Sequence, residues 1–288
     1  MRAVVARCVA VGVLLAASAP RGQAKDEPKE PTVEDVFKKV EAAVFFPDAQ
    51  ERLAGYECDV LVTSSSLGLG GEAVPDRKSA KALAHVAYDA ATGKKTWTGP
   101  DKKPVPPGSW SPSCGFWNLK HVMRLETDFL STPLSKRFPE SDYERVLEAE
   151  DEGWRITLTP TAPETDTANQ GLTPTLTRIE LLVGADGVPT GGVLGLASDP
   201  VPVTGAFWFD WKPEGSRKRL DRIRNTLTSA NVTVHPSLTF LWAKQGDFLL
   251  PSSIESRVPG GDLSASLGGF GDMLGGLVFE KYAVRKTK

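Results

Sequence analysis

Residues 154–159 alternate strictly between apolar and polar: Trp154, Ile156 and Leu158 against Arg155, Thr157 and Thr159, with Pro160 ending the run. A period of two belongs to a strand with one dry face and one wet face. Near the front of the chain the period is different. Val33, Val36, Phe37, Val40 and Val44 recur at helical spacing, with Lys38, Lys39 and Glu41 on the other side. Thr32, followed three residues later by Asp35, marks a capped start. The pattern predicts a helix that begins after Thr32 and ends near Pro47, with a short further turn in "DAQERLAG".

After Gly55 short strands dominate. "YECDVLVTS" is β-branched and apolar, and "ALAHVAYDAATGKKTWTG" reads as two strands around a turn. "FWNLKHVMRLETDFL" places Leu119, Val122, Met123, Leu125 and Phe129 in a helical array, so a second covering helix is expected there. "YERVLEAEDEGWRITLTP" predicts a hairpin around an acidic glycine turn, and "LTRIELLVGADGVPTGGVLGL" another around Asp-Gly. In "TGAFWFDWKP", Phe207, Phe209 and Trp211 share one face, opposite Trp208 and Asp210. "RIRNTLTSANVTVHP", a hairpin around "KQGD" and "LVFEKYAVRK" complete roughly nine to eleven strands, with two or three helices near the front. Helices that precede strands without alternating with them favour an α+β arrangement, an antiparallel sheet with helices on one side.

The N-terminus stands apart. "MRAVVAR", the apolar "CVAVGVLLAASA" and the closing "GQA" follow the basic, apolar, small-residue order of an export signal. The apolar run falls short of the ~20 residues a membrane span needs. Cleavage is expected after Ala24, because a cut after Ala19 would leave Pro20 at the scissile bond. Residues 25–31 form a charged, proline-bearing leader, and 32–288 a single domain with loop insertions at 101–113 and 259–276. Losing residues 1–24 removes three arginines and no acid, leaving 31 basic against 36 acidic residues, a charge of −5. That balance argues against a nucleic-acid partner. An exported location permits a disulfide between Cys58 and Cys114, though two separate thiols satisfy the spacing equally well.

The usual signatures of chemistry are missing. There is no nucleophile elbow, phosphate-binding glycine loop or zinc-binding helix motif. His85, His121 and His235 are scattered, and Glu148, Glu150 and Asp151 belong to a hairpin turn, where solvated charge is the plainer reading. "DTANQG" lacks the repeated ligand spacing of a calcium loop. A non-enzymatic protein without cofactor or metal is expected. "SRKRLDRIR", 216–224, reads either as a solvated strand or as a patch for anionic headgroups. The stretch 259–277 mixes glycines with Leu263, Leu267, Phe270, Met273 and Leu274, which suggests an apolar flap, or a loop tucked onto the surface.

In order, the chain shows an export leader, an amphipathic helix "TVEDVFKKVEAAV", a strand "GWRITLTPT", then "LTRIELLVGADGVPTGGVL", "GDFLLPSSIESR" and a closing "FEKYAVRK". This succession resembles the bacterial lipoprotein-carrier superfamily, the periplasmic outer-membrane lipoprotein carrier and its sorting relatives. The first strand, "YECDVLVTSS", departs from that pattern by lacking a Phe-x-Gln signature. The resemblance implies a strongly curved antiparallel sheet, an open half-barrel, whose concave side is covered by the helices and receives acyl chains. Its cleft would be lined by Trp154, Ile156, Leu158, Ile179, Leu181, Phe207, Phe209, Trp211, Phe240, Trp242 and Ile254 of the sheet, and by Val36, Phe37, Val40 and Val44 of the lid helix. The implied partners are the acyl chains of a lipid or lipoprotein, with membrane-bound donor and acceptor proteins, and the carrier would act as a monomer. Because relatives also include envelope regulators, the alternative is an exported interaction or sensor module on the same scaffold.

Overall fold

The structure is a computed structural model, and it describes residues 30–63, 81–103, 131–162, 175–197, 203–229, 232–259 and 273–287. Thr32–Lys288 forms one compact unit. Its first element is α1 (Val33–Ala43), which starts where the sequence places it. Thr32 accepts from the Asp35 amide, and the Asp35 carboxylate accepts from the Thr32 backbone, a reciprocal cap. The helix stops at Ala43, earlier than Pro47. Val44 is extended (φ −104°, ψ 143°) and bridges to Lys218, and the Phe45 amide donates to the Lys218 carbonyl at 2.8 Å. A β-branched residue that finds a strand partner leaves the helix there. Pro47–Ala49 then makes one 3-10 turn.

Thirteen strands follow among the described residues, two more than the upper expectation: β1 (Leu53–Thr63), β2 (Lys81–Asp89), β3 (Lys94–Thr98), β4 (Tyr143–Glu150), β5 (Gly153–Pro160), β6 (Thr175–Gly184), β7 (Pro189–Ala197), β8 (Val203–Glu214), β9 (Arg217–Ser229), β10 (Val232–Val234), β11 (Ser237–Gln245), β12 (Phe248–Val258) and β13 (Met273–Lys286). The surplus arises partly because "RIRNTLTSANVTVHP" folds back on itself, the three-residue β10 pairing with β9. The other helix among the described residues is the four-residue α2 (Leu134–Arg137), which the apolar periodicity did not announce. The helix expected from "FWNLKHVMRLETDFL" lies outside the described residues, as do Cys114, Leu267 and Phe270.

All the strands join one open antiparallel sheet in the order β3-β2-β1-β13-β12-β11-β9-β8-β7-β6-β5-β4, with β10 beside β9. The last strand returns between β1 and β12, so the first and last strands are tied together by main-chain hydrogen bonds. Met273 and Leu274 correct the flap expectation. They belong to β13, opposite Val258 and Arg257 of β12. Backbone pairing with a long partner strand overrode the glycine content that suggested a mobile loop, and the insertion assigned to 259–276 ends before Met273.

Two apolar clusters hold the sheet. The larger joins the buried side of α1 to alternate residues of β5, β6, β8, β9, β11 and β12, together with Leu134, Phe138 and Tyr143. The smaller joins β1, β2, β12 and β13 through Tyr56, Cys58, Val60, Val86, Tyr88, Leu250 and Leu277. Alternation on β8 is as the sequence states: Phe207 and Phe209 are buried while Trp208 is 44% exposed. Helix α1 reaches across several strands. Glu34 near its start pairs with Arg145 of β4 at 2.6 Å, and its far end meets β9 at Lys218.

Candidate functional site

Most of the residues expected to line a cleft come together, but against one another. Val36, Val40, Val44, Ile156, Leu158, Ile179 and Leu181 are fully buried, and Phe37, Phe207, Phe209, Phe240 and Ile254 nearly so. They form a packed core in which α1 sits directly on the sheet. Trp154, Trp211 and Trp242 lie at its margin, partly exposed. Each is held by a specific contact: Lys39 sits 4.2 Å above the Trp154 ring, Trp211 Nε1 donates to the Pro189 carbonyl at 2.7 Å, and Trp242 Nε1 donates to the Leu220 carbonyl at 3.0 Å.

Phe240, Trp242 and Ile254 do line a cavity. It lies where the two apolar clusters meet, and its other walls are Pro47, Tyr56, Cys58, Val86, Lys95, Ser131, Leu220, Pro251, Phe279 and Tyr282. Its volume is about 30 Å³, room for a water or two. Phe45 stands edge-on to Trp242, 6.0 Å between ring centroids, just past the end of α1.

One side of this cavity is polar, and the apolar periodicity did not point to it. Asp48, in the 3-10 turn, has a fully buried carboxylate that pairs with Lys95 Nζ at 3.0 Å. Tyr56 Oη and Thr132 Oγ1 donate to the same carboxylate at 3.0 and 3.1 Å, and Tyr88 Oη donates to the Asp48 carbonyl at 2.9 Å. Lys95 Nζ also donates to Ser131 Oγ at 2.9 Å. A buried charge pair is tolerable only when its remaining hydrogen-bonding capacity is met in this way. The elements that supply it are 47 residues apart in sequence between Asp48 and Lys95, and nothing in the local pattern of either residue advertises the pairing.

Cys58 and Tyr282 of the cavity wall, and Tyr88 of the Asp48 cluster, are held in their neutral forms. Burial pushes the Cys58 thiol up to about 12, and burial together with the nearby Asp48 carboxylate pushes Tyr88 up to about 12. Burial raises Tyr282 well above the ordinary phenol range, and the neighbouring Cys58 adds to this. Tyr282 Oη donates to the Pro251 carbonyl at 2.7 Å. Cys58 is a free thiol; Cys114, the other half of the expected pairing, lies outside the described residues. At neutral pH the thiol is protonated, so it serves as a small apolar wall group, without the thiolate that nucleophilic attack needs.

On the reverse face of the sheet, Val146, Leu182 and Trp208 are exposed apolar side chains. Leu182 and Trp208 both stand in register with Gly191 of β7, one from each side. The basic run in β9 is partly neutralised where it folds: Arg224 forms a two-point contact with Asp210, and Arg219 pairs with Glu214. Among the described residues no group of three or more His, Cys, Asp or Glu side chains could hold a metal ion, and no helix is long and apolar enough to cross a membrane. No family model, curated protein or solved structure matches this chain.

Proposed function

We propose that the protein is an exported, non-enzymatic binder of acyl chains, from a lipid or a lipoprotein, and that α1 is the lid over its binding face. The observation that carries this reading is the cavity where the two apolar clusters meet, beside the 3-10 turn that follows α1 and walled mostly by apolar side chains. It is the closed state of the site. An acyl chain enters when the end of α1 and the Phe45–Trp242 contact give way.

The energies allow that exchange. α1 holds the sheet with Val33, Val36, Phe37 and Val40, at roughly 1.5–3 kcal/mol each, or about 6–12 kcal/mol together. A chain of about a dozen methylenes recovers about 10 kcal/mol on entering the same apolar surface. One apolar occupant replaces another at nearly equal free energy, so neither state is locked.

The half-barrel curvature has support from the span of α1. Helix α1 is about 17 Å long, whereas β4 and β9 stand five strand spacings apart, about 24 Å on a flat sheet. A sheet that curls toward the helix brings both strands within reach, and the bulges at Leu182/Val183 and Asp210/Trp211 supply local bending.

Binding of a long-chain fluorescent fatty acid tests the reading. Ile254→Trp fills the cavity and should weaken binding at least tenfold, while Trp208→Ser on the reverse face should leave it unchanged. Equal binding by wild type and Ile254→Trp would remove the cavity from the account. The second reading, an exported interaction or envelope-sensor module, is favoured by the exposed Val146, Leu182 and Trp208. In that case Trp208→Ser abolishes partner capture and the fatty acid does not bind at all.

A further inference from the structure

Behind the cavity wall lies a charged cluster that the ligand reading does not use. On β1, Tyr56, Cys58 and Val60 point into the smaller core while Glu57 and Asp59 alternate to the other face. His85 of β2 stands between those two carboxylates, its side chain 8% exposed. Its Nδ1 lies 3.0 Å from Asp59 Oδ1 and its Nε2 3.2 Å from Glu57 Oε2. An ionised carboxylate only accepts hydrogen bonds, so both contacts are made only when both ring nitrogens carry protons. The geometry is that of an imidazolium clamped by two anions.

The charged groups around the clamp come from two further places. Lys102, in the turn after β3, donates to Glu57 Oε2 at 3.1 Å, and Lys281 of β13 donates to Asp59 Oδ2 at 2.9 Å. From β3 itself, Thr98 Oγ1 reaches the His85 carbonyl at 3.4 Å. Lys281 lies at a bulge: the β1–β13 register passes from Glu57↔Ala283 to Asp59↔Glu280, leaving Lys281 and Tyr282 opposite Cys58. Lys281 has φ 55°, the left-handed region that a lysine enters at a cost. The bulge aims Lys281 outward at Asp59 and brings Tyr282 to the cavity wall. The clamp and the wall are thus alternate residues of the same three strands: Glu57, Asp59, His85 and Lys281 behind, Cys58, Val86 and Tyr282 in front.

We propose that Glu57, His85 and Asp59 form a proton-operated latch on the cavity wall, closed while His85 carries both protons and released when it loses one. On release, one ring nitrogen presents a lone pair to a carboxylate oxygen, and attraction becomes repulsion between β1 and β2. Among the described residues β2 has only β3 beyond it in the sheet order, so this corner can yield while the rest of the sheet stays paired. Lys102 and His85 hold the Glu57 carboxyl below its ordinary range, and His85 and Lys281 do the same for Asp59. The carboxylates therefore stay ionised well into acid. With both carboxylates ionised, loss of one ring proton is the releasing event, so a rise in pH opens the wall.

Amide hydrogen exchange, corrected for its intrinsic pH dependence and read segment by segment between about pH 5 and pH 8, tests this without any ligand. In the wild type, protection in β1, β2 and β13 should fall about tenfold relative to β5 and β6 as the pH rises, the equivalent of one hydrogen bond to a charged group. His85→Arg, always cationic, should hold the low-pH level throughout, and His85→Gln the high-pH level. A flat wild-type profile, or a pH step that persists in His85→Arg, overturns the latch even if His85→Gln does not fold. The latch has meaning for ligand entry only if the cavity is the binding site. Because exchange is measured on the free protein, a failed fatty-acid experiment with an intact pH step sinks the ligand reading alone, and the converse sinks the latch alone.

Discussion

At the scale of single residues, the Asp48–Lys95 pair is costly to disturb. Asp48 is fully enclosed and Lys95 nearly so, and each has hydrogen-bond partners that were placed for the charged forms. Removing one member leaves the other charge buried without compensation, a loss of about 3–5 kcal/mol. Lys95→Met should therefore lower the unfolding free energy by about 3 kcal/mol in urea titrations, despite adding apolar surface. The double variant Asp48→Leu with Lys95→Met should recover much of that loss, because neither charge then remains. If the single variant is as stable as wild type, the pair is solvated and the cavity has no dry polar side. Cys58, two strands away, follows the same logic in reverse. Burial keeps its proton on, so its role is that of a packing atom.

Elements show a different balance. Helix α1 is short, and its stability comes from its cap and its apolar side together. An isolated helix of 11 residues is marginal in water, so α1 exists because the sheet accepts Val36, Phe37 and Val40. The β6–β7 turn is built to touch it. Gly187 has φ 82°, and a Cβ there would stand 2.7 Å from the Lys39 carbonyl of α1. Gly187→Val should push the turn off the helix. The expected result is faster hydrogen exchange across Val33–Ala43, with little change in β11 and β12. Should exchange in α1 be unaltered, the helix is anchored elsewhere and its designation as a lid loses force. The hairpins were readable from turn residues and alternation: "EDEGW" and "GADG" sit where β4 meets β5 and β6 meets β7. The helix end was not, because Val44 leaves α1 to pair with Lys218, a partner 174 positions away.

For the molecule as a whole, the acyl-binding proposal makes one statement that no variant is needed to check. Protein purified from an exported preparation and examined by native mass spectrometry should carry an added mass that chloroform–methanol extraction identifies as acylated. An unliganded mass in every preparation would favour the interaction module, whose exposed side chains lie on the opposite face of the sheet. The residue pattern by itself determined the capped helix at the front, the succession of antiparallel hairpins, and which side chains of β5, β6 and β8 point inward. These depend on neighbours three or four positions away in a helix, or two in a strand, and that information is local. Only the tertiary structure decided that β13 returns between β1 and β12, that Met273 and Leu274 are strand residues, and that the apolar side of α1 packs with alternate sheet residues into one core, with a small cavity where the two clusters meet. It also decided that Asp48 meets Lys95, and that His85 stands between Glu57 and Asp59. Those arrangements arise from pairings between distant segments, where a buried charge or an unpaired main-chain group must find its partner, and the period of a strand carries no record of which strand lies beside it.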